Sequence, residues 1–261
     1  MRYLVILTAA VLVTANANAQ RPPRGPAGPP PPAKAAAPID LTGDWVSLIV
    51  DEWRFRVTPQ KGDIAYMPIN AEARRVAEAW DPDKDTADGN QCRAYGAVGV
   101  MQRPGRLRIT WENDNTLRVD ADAGTQTRLL HFDPATGQRG QPSWQGFSEA
   151  EWLVRGRPLR DPARAGFGAA PLAAVQGQGS LKVVTTNMLP GYIRKNGVPY
   201  SSSAVLTEYL NLLTGAEGDV YLAVTAMVAD PVYLNQPFVR TYTFKKERDA
   251  SGWDPTPCWP K

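Results

Sequence analysis

One histidine and two cysteines in 261 residues are too few for a His/Cys zinc site of ordinary ligand count, so no metal is expected. Lys and Arg number 29 against 26 Asp and Glu, a formal charge of +3. That balance builds no strongly basic face, and no nucleic-acid partner is expected. Long apolar runs are missing as well. Beyond residue 20 nothing approaches the ~20 consecutive apolar residues of a spanning helix, so the mature chain should carry no transmembrane segment. The chain also lacks a Gly-x-Ser-x-Gly elbow, a P-loop, a dinucleotide glycine pattern and an Asp-rich calcium loop. Those absences exclude the common serine hydrolase arrangement, phosphate transfer and nicotinamide chemistry, and no cofactor is expected.

What is present begins with a basic start, Met1-Arg2, an apolar stretch from Leu4 to Val13 and the small residues Ala17-Asn18-Ala19. Residues 1–19 are therefore predicted to be a cleaved signal peptide, which sends the chain to the periplasm or outside the cell. Residues 20–38 are almost entirely Pro, Ala, Gly and Arg, the composition of an extended, disordered linker. Residues 39–261 then form a single domain, long enough at about 220 residues to bury a real core. In an oxidising compartment an even cysteine count predicts one disulfide, Cys92 to Cys258, tying the tail to the body.

From Leu41 onward the hydrophobic pattern has period two. Leu107, Ile109 and Trp111 alternate with arginines and a threonine, Leu117, Val119 and Ala121 alternate with Arg118, Asp120 and Asp122, and Asn113-Asp114-Asn115 lies between them. This predicts a hairpin. Ala123-Gly124 separates its second arm from a third strand at 125–132. Later strands are predicted at 181–188, 204–210, 220–228 and 238–246, with a turn at Gly215-Ala216-Glu217-Gly218. Alternation from Trp45 to Val57 predicts one long first strand. A single short helix is expected over 71–80, capped by Asn70 and ended by Asp81-Pro82. Residues 156–179, rich in Ala, Gly, Pro and Arg, are expected to be a mobile loop over one barrel end. Some eight strands of this kind imply an all-β protein, an antiparallel barrel or a sandwich.

The opening Gly43-Asp44-Trp45 resembles the Gly-x-Trp start of the lipocalins, in which an indole lies across the closed end of the barrel. The resemblance implies a lipocalin-like, calycin-type antiparallel β-barrel with one short helix. The phrases Asp51-Glu52-Trp53-Arg54-Phe55-Arg56, Gly105-Arg106-Leu107-Arg108-Ile109-Thr110-Trp111 and Lys195-Asn196-Gly197-Val198-Pro199-Tyr200 resemble a group of exported bacterial proteins of uncertain function, which implies a periplasmic setting.

Candidate acid/base groups are Asp51, Glu208 and His131. Alternation sets Asp51 on one face with Trp45 and Trp53, where burial would raise its pKa. Glu208 lies in a segment dense in polar and aromatic groups, and an unperturbed imidazole titrates near neutral pH. Candidate ligand contacts are Arg54, Trp111, Arg128, Asn187, Tyr192 and Tyr200, each on a predicted strand with only an inside or an outside to occupy. An inward arginine must meet a carboxylate, with Asp51 and Glu208 the partners at hand. Against these stand plainer readings: Asp51 turned to solvent, Glu208 paired with Arg194 or Lys195 on the outer surface, and His131 a hydrogen-bonded strand residue.

Eight tryptophans, an expected closed barrel and no catalytic motif predict a periplasmic protein that binds a hydrophobic or aromatic small molecule. The alternatives are a cofactor-independent lyase, isomerase or cyclase in the same barrel, and an envelope-associated structural protein with an exposed apolar patch and no cavity.

Overall fold

A computed structural model describes residues 30–50, 53–133, 139–154, 157–158 and 179–259. Its strands are β1 (Gly43–Ser47), β2 (Arg106–Asn113), β3 (Thr116–Ala121), β4 (Gln126–His131), β5 (Phe147–Val154), β6 (Arg157–Pro158), β7 (Ser180–Thr186), β8 (Gly191–Arg194), β9 (Val198–Tyr200), β10 (Val205–Thr214), β11 (Val220–Ala229) and β12 (Phe238–Lys246). Nine of them close into a barrel in the order β1-β2-β3-β4-β5-β7-β10-β11-β12, with β6 paired to β5 alone and β8–β9 a separate hairpin. All junctions are antiparallel except β4–β5, where Leu130 faces Ser148 in parallel. Alternating directions close a ring only when the strand count is even, so nine strands force one parallel seam. The all-β closed barrel is the fold class expected, with one strand more than the eight of a lipocalin.

The turns follow from their residues. In the β2–β3 turn the Asn113 side chain accepts from the Asn115 amide at 2.9 Å, an Asx-turn that needs no help from the rest of the fold. Between β3 and β4, Asp122 accepts from the amides of Arg106 and Ala123 at 2.7 and 2.6 Å, and Gly124 takes φ 79°, which a side chain would resist. One face of each strand then points inward: Leu107 opposes Ala121, Val183 opposes Glu208, and Val224 opposes Tyr242. Leu107, Ile109, Leu117, Val183, Leu206 and Val224 are all buried.

Trp45 is 0% exposed, and its indole N–H donates to the Leu41 carbonyl at 3.1 Å. The Lys246 ammonium lies 5.3 Å from the ring. Gly43 makes that possible, because a Cβ there would come within 2.9 Å of the Lys246 stem. Trp45→Phe removes the hydrogen bond and part of the ring, and should lower stability by about 1–2 kcal/mol in urea denaturation. An unchanged midpoint would mean that the indole is not packed as described.

The helices are α1 (Trp53–Arg56), α2 (Ala71–Ala79), α3 (Pro82–Ala87) and α4 (Ala97–Val100), with a 3-10 turn at Arg93–Tyr95. α2 starts where expected, Asn70 accepting from the Ala73 amide at 2.9 Å. Asp81-Pro82 ends it and also begins α3, with Asp81 as the cap, because proline is at home in the first helical turn. Four expectations need correction. The first strand stops at Ser47 and Trp53–Arg56 is helical, so period-two alternation does not extend to Arg54. Tyr192 and Tyr200, read as lying on barrel strands on either side of an Asn196-Gly197 turn, sit on the β8–β9 hairpin outside the wall. β5 was not expected as a strand. Finally, the segment read as a tether is held at its end: the Ala33 amide donates to the Asn115 side chain at 2.8 Å, and the Trp152 indole donates to the Ala33 carbonyl at 2.9 Å. Residues 1–29 and 159–178, which include the predicted signal peptide and most of the predicted loop, lie outside the described residues.

Cys92 and Cys258 are joined in a disulfide, as cysteine parity predicted. No described helix is long and apolar enough to cross a membrane.

Candidate functional site

Alternation along β4 turns Arg128 inward, and alternation along β10 turns Glu208 inward. The two meet in the barrel interior, 2% and 1% exposed. The guanidinium donates to both carboxylate oxygens, at 3.2 and 2.6 Å, and to the Thr185 hydroxyl at 3.2 Å. Thr185 shares a further hydrogen bond of 2.8 Å with Ser148. Two charges survive in an apolar interior only when geometry and extra hydrogen bonds offset their desolvation, and a bidentate pair meets that need. Glu208 therefore pairs across the interior, and not with Arg194 or Lys195 on the outer surface.

A cavity of about 740 Å³ opens at the end of the barrel where residues 34–42 cross it. Trp111, Leu117, Trp152, Leu212 and Val220 form its wall, Ile39 and Leu41 cover it, and Lys34 and Lys246 stand at its rim. Trp111, Phe132 and Trp152 pack as an aromatic group, with centroids 5.1–6.5 Å apart. Neither Arg128 nor Glu208 lines this cavity, nor the smaller one of about 310 Å³ beside Tyr66 and Arg240.

The other candidates lie elsewhere, so the expected list does not line one chamber. His131 faces outward beside Thr116, stacked on Phe147 at 5.1 Å. Burial holds its imidazole below the ordinary value, which leaves it neutral at pH 7. Asn187 sits at φ 57° and donates to the Gly140 carbonyl at 3.0 Å, tying one loop to another. The Tyr192 hydroxyl on β8 bonds Asp85 at 2.9 Å, and burial pushes its phenol up to about 12. Tyr200 is fully buried and its hydroxyl has no hydrogen-bond partner among the described residues. Arg54 pairs with Asp63 at 3.3 Å. Asp51 lies outside the described residues.

Of the residues bordering this cavity the sequence suggests Trp111 and Trp152 but not Lys34, Lys246 or Leu212. Lys246 was readable in principle, since it shares a strand face with Tyr242 and Phe244. The cover at 34–42 was not, because its composition says only that the segment has no core of its own. No family model, no curated protein and no solved structure matches this chain.

Proposed function

We propose that this is an exported, periplasmic binding protein whose barrel mouth takes an apolar or aromatic small molecule. The 740 Å³ cavity walled by Trp111, Trp152, Leu117 and Leu212 carries this reading, since its volume lies within the range of small-molecule sites, about 300–1,000 Å³. Lys34 and Lys246 at the rim favour a ligand with a negative group at one end, its apolar body against the indoles. The disulfide, the leader pattern of residues 1–19 and the resemblance to exported bacterial proteins support the periplasmic setting. Acid/base catalysis at Glu208 finds less support: both of its oxygens are held by Arg128, and it borders neither cavity.

Titration with an anilinonaphthalene sulfonate dye, an aromatic anion, should saturate a single site with tryptophan quenching. Leu212→Arg, which places a bulky charged group in the wall, should weaken binding by about tenfold or more with the circular dichroism spectrum unchanged. Equal affinity in the folded variant would mean that the mouth is not the binding site.

A further inference from the structure

β12 runs from Phe238 to Lys246, so the end of the barrel at Phe238 lies away from the mouth. α1, the turn after α4 and the β8–β9 hairpin cover that end. Their buried side chains are unusually cationic: Arg56, Arg103, Arg194 and Lys195 all have less than a tenth of their surface exposed. Buried charges normally meet a counter-charge or a full set of hydrogen bonds. Arg194 has a carboxylate, Asp63 at 3.9 Å, and donates from both terminal nitrogens to the carbonyls of Asp63 and Arg54 at 2.9 and 3.0 Å, with Phe55 beneath it at 5.2 Å. Arg56 donates to the carbonyls of Met101 and Thr243, each at 3.0 Å.

Arg103 differs. It is 5% exposed, and two of its nitrogens, Nε and Nη1, are buried with no hydrogen-bond partner among the described residues. Lys195, 8% exposed, has no carboxylate partner among the described residues, and its ammonium lies 5.7 Å from the Tyr95 ring. The Gln102 side-chain amide donates to the Ile193 carbonyl at 2.6 Å, which holds the turn carrying Arg103 against β8 and the Lys195 that follows it, and the Arg103 charge acts on Lys195. Asp63 is the carboxylate paired with this end, and its partners are Arg54 and Arg194. Two cations are thus enclosed at this end with no carboxylate paired to either among the described residues.

We propose that Arg103 and Lys195 form a binding site for a small oxyanion, a carboxylate or a phosphate, separate from the mouth cavity. The guanidinium supplies a planar fork of donors that fits two oxygens at once, and the ammonium supplies a point charge beside it. Burial, reinforced by the Arg103 charge, brings the Lys195 ammonium down to about 8, and burial brings Arg103 down to about 10. Both shifts are the mark of cations lacking a counter-charge, and both groups are still protonated at neutral pH.

The test is thermal unfolding of the whole mature chain at pH 7 and constant ionic strength, with sodium chloride replaced stepwise by acetate in one arm and by inorganic phosphate in the other. The arm that matches the ligand should raise Tm by roughly 5 °C at a hundredfold excess over Kd. Arg103→Met should remove that dependence and, by deleting an unpaired buried charge, hold or raise the Tm measured in chloride. Lys195→Met should weaken the dependence without abolishing it. If Arg103→Met fails to fold, the guanidinium is a structural requirement and the proposal falls. It falls equally if neither arm moves the wild-type Tm, or if Arg103→Met responds as the wild type does. The Leu212→Arg variant should keep the full anion response, which separates failure at this site from failure at the mouth.

Discussion

Reduction of the Cys92–Cys258 disulfide should lower the stability of the protein by about 4–5 kcal/mol. The two cysteines are 166 positions apart, so the cross-link closes a loop of most of the domain and removes much of the freedom of the unfolded chain. In the chain-entropy model that effect grows with the logarithm of loop length. The folded state should change little, because the tail has other attachments. The Thr256 amide donates to the Asp122 carbonyl at 2.9 Å, the Thr125 hydroxyl donates to the Thr256 carbonyl at 2.9 Å, and the Tyr95 hydroxyl donates to the Trp259 carbonyl at 3.1 Å. Guanidinium denaturation of the oxidised protein and of a Cys92→Ala/Cys258→Ala double variant measures the difference. A loss under 1 kcal/mol would mean that the reduced unfolded chain is already compact near these residues. Two free thiols in protein recovered from the periplasm would mean that the bond does not form there at all.

Glu208→Gln should cost about 3–5 kcal/mol, the usual result of removing one partner from a buried pair. The substitution keeps the shape but leaves the Arg128 guanidinium, 2% exposed, without a counter-charge in an apolar barrel. Arg128→Met leaves the carboxylate in the same position and should cost a similar amount. The double variant Arg128→Met/Glu208→Leu removes both charges, and should recover most of the loss because hydrophobic groups of similar size pack against Val119, Val183 and Ala226, their register neighbours. A double-mutant cycle by urea denaturation reads the coupling. Single variants within 1 kcal/mol of the wild type would show that water reaches the pair. Dye binding at the mouth should survive in any of these variants that fold, since neither residue lines the cavity.

Local physics made much of this fold legible from the residues alone. The β2–β3 hairpin could be read because its alternation and its Asn113-Asp114-Asn115 turn are satisfied within a few residues. α2 could be read because Asn70 caps it and Asp81-Pro82 stops it. The disulfide needed only parity and compartment. The pairing of Arg128 with a carboxylate followed from the cost of an unpaired interior charge, although the choice between Asp51 and Glu208 did not.

Reading failed where a segment's state depends on what it packs against. Trp53–Arg56 alternates like a strand, yet it forms a helical turn that brings Phe55 to within 6.0 Å of Phe238 at the barrel end away from the mouth. The hairpin of Tyr192 and Tyr200 has strand residues but leaves the wall to cover that same end. By itself the sequence determined strand periodicity, turns, one helix and the cross-link, because each is an interaction between near neighbours or a matter of composition. Tertiary structure alone decided the ninth strand with its parallel seam, the cover of residues 34–42 over the mouth, and the burial of Arg103 and Lys195 at the other end. Each of those joins parts of the chain far apart in sequence, and the side chain of a strand or loop carries no mark of which distant surface will take it out of water.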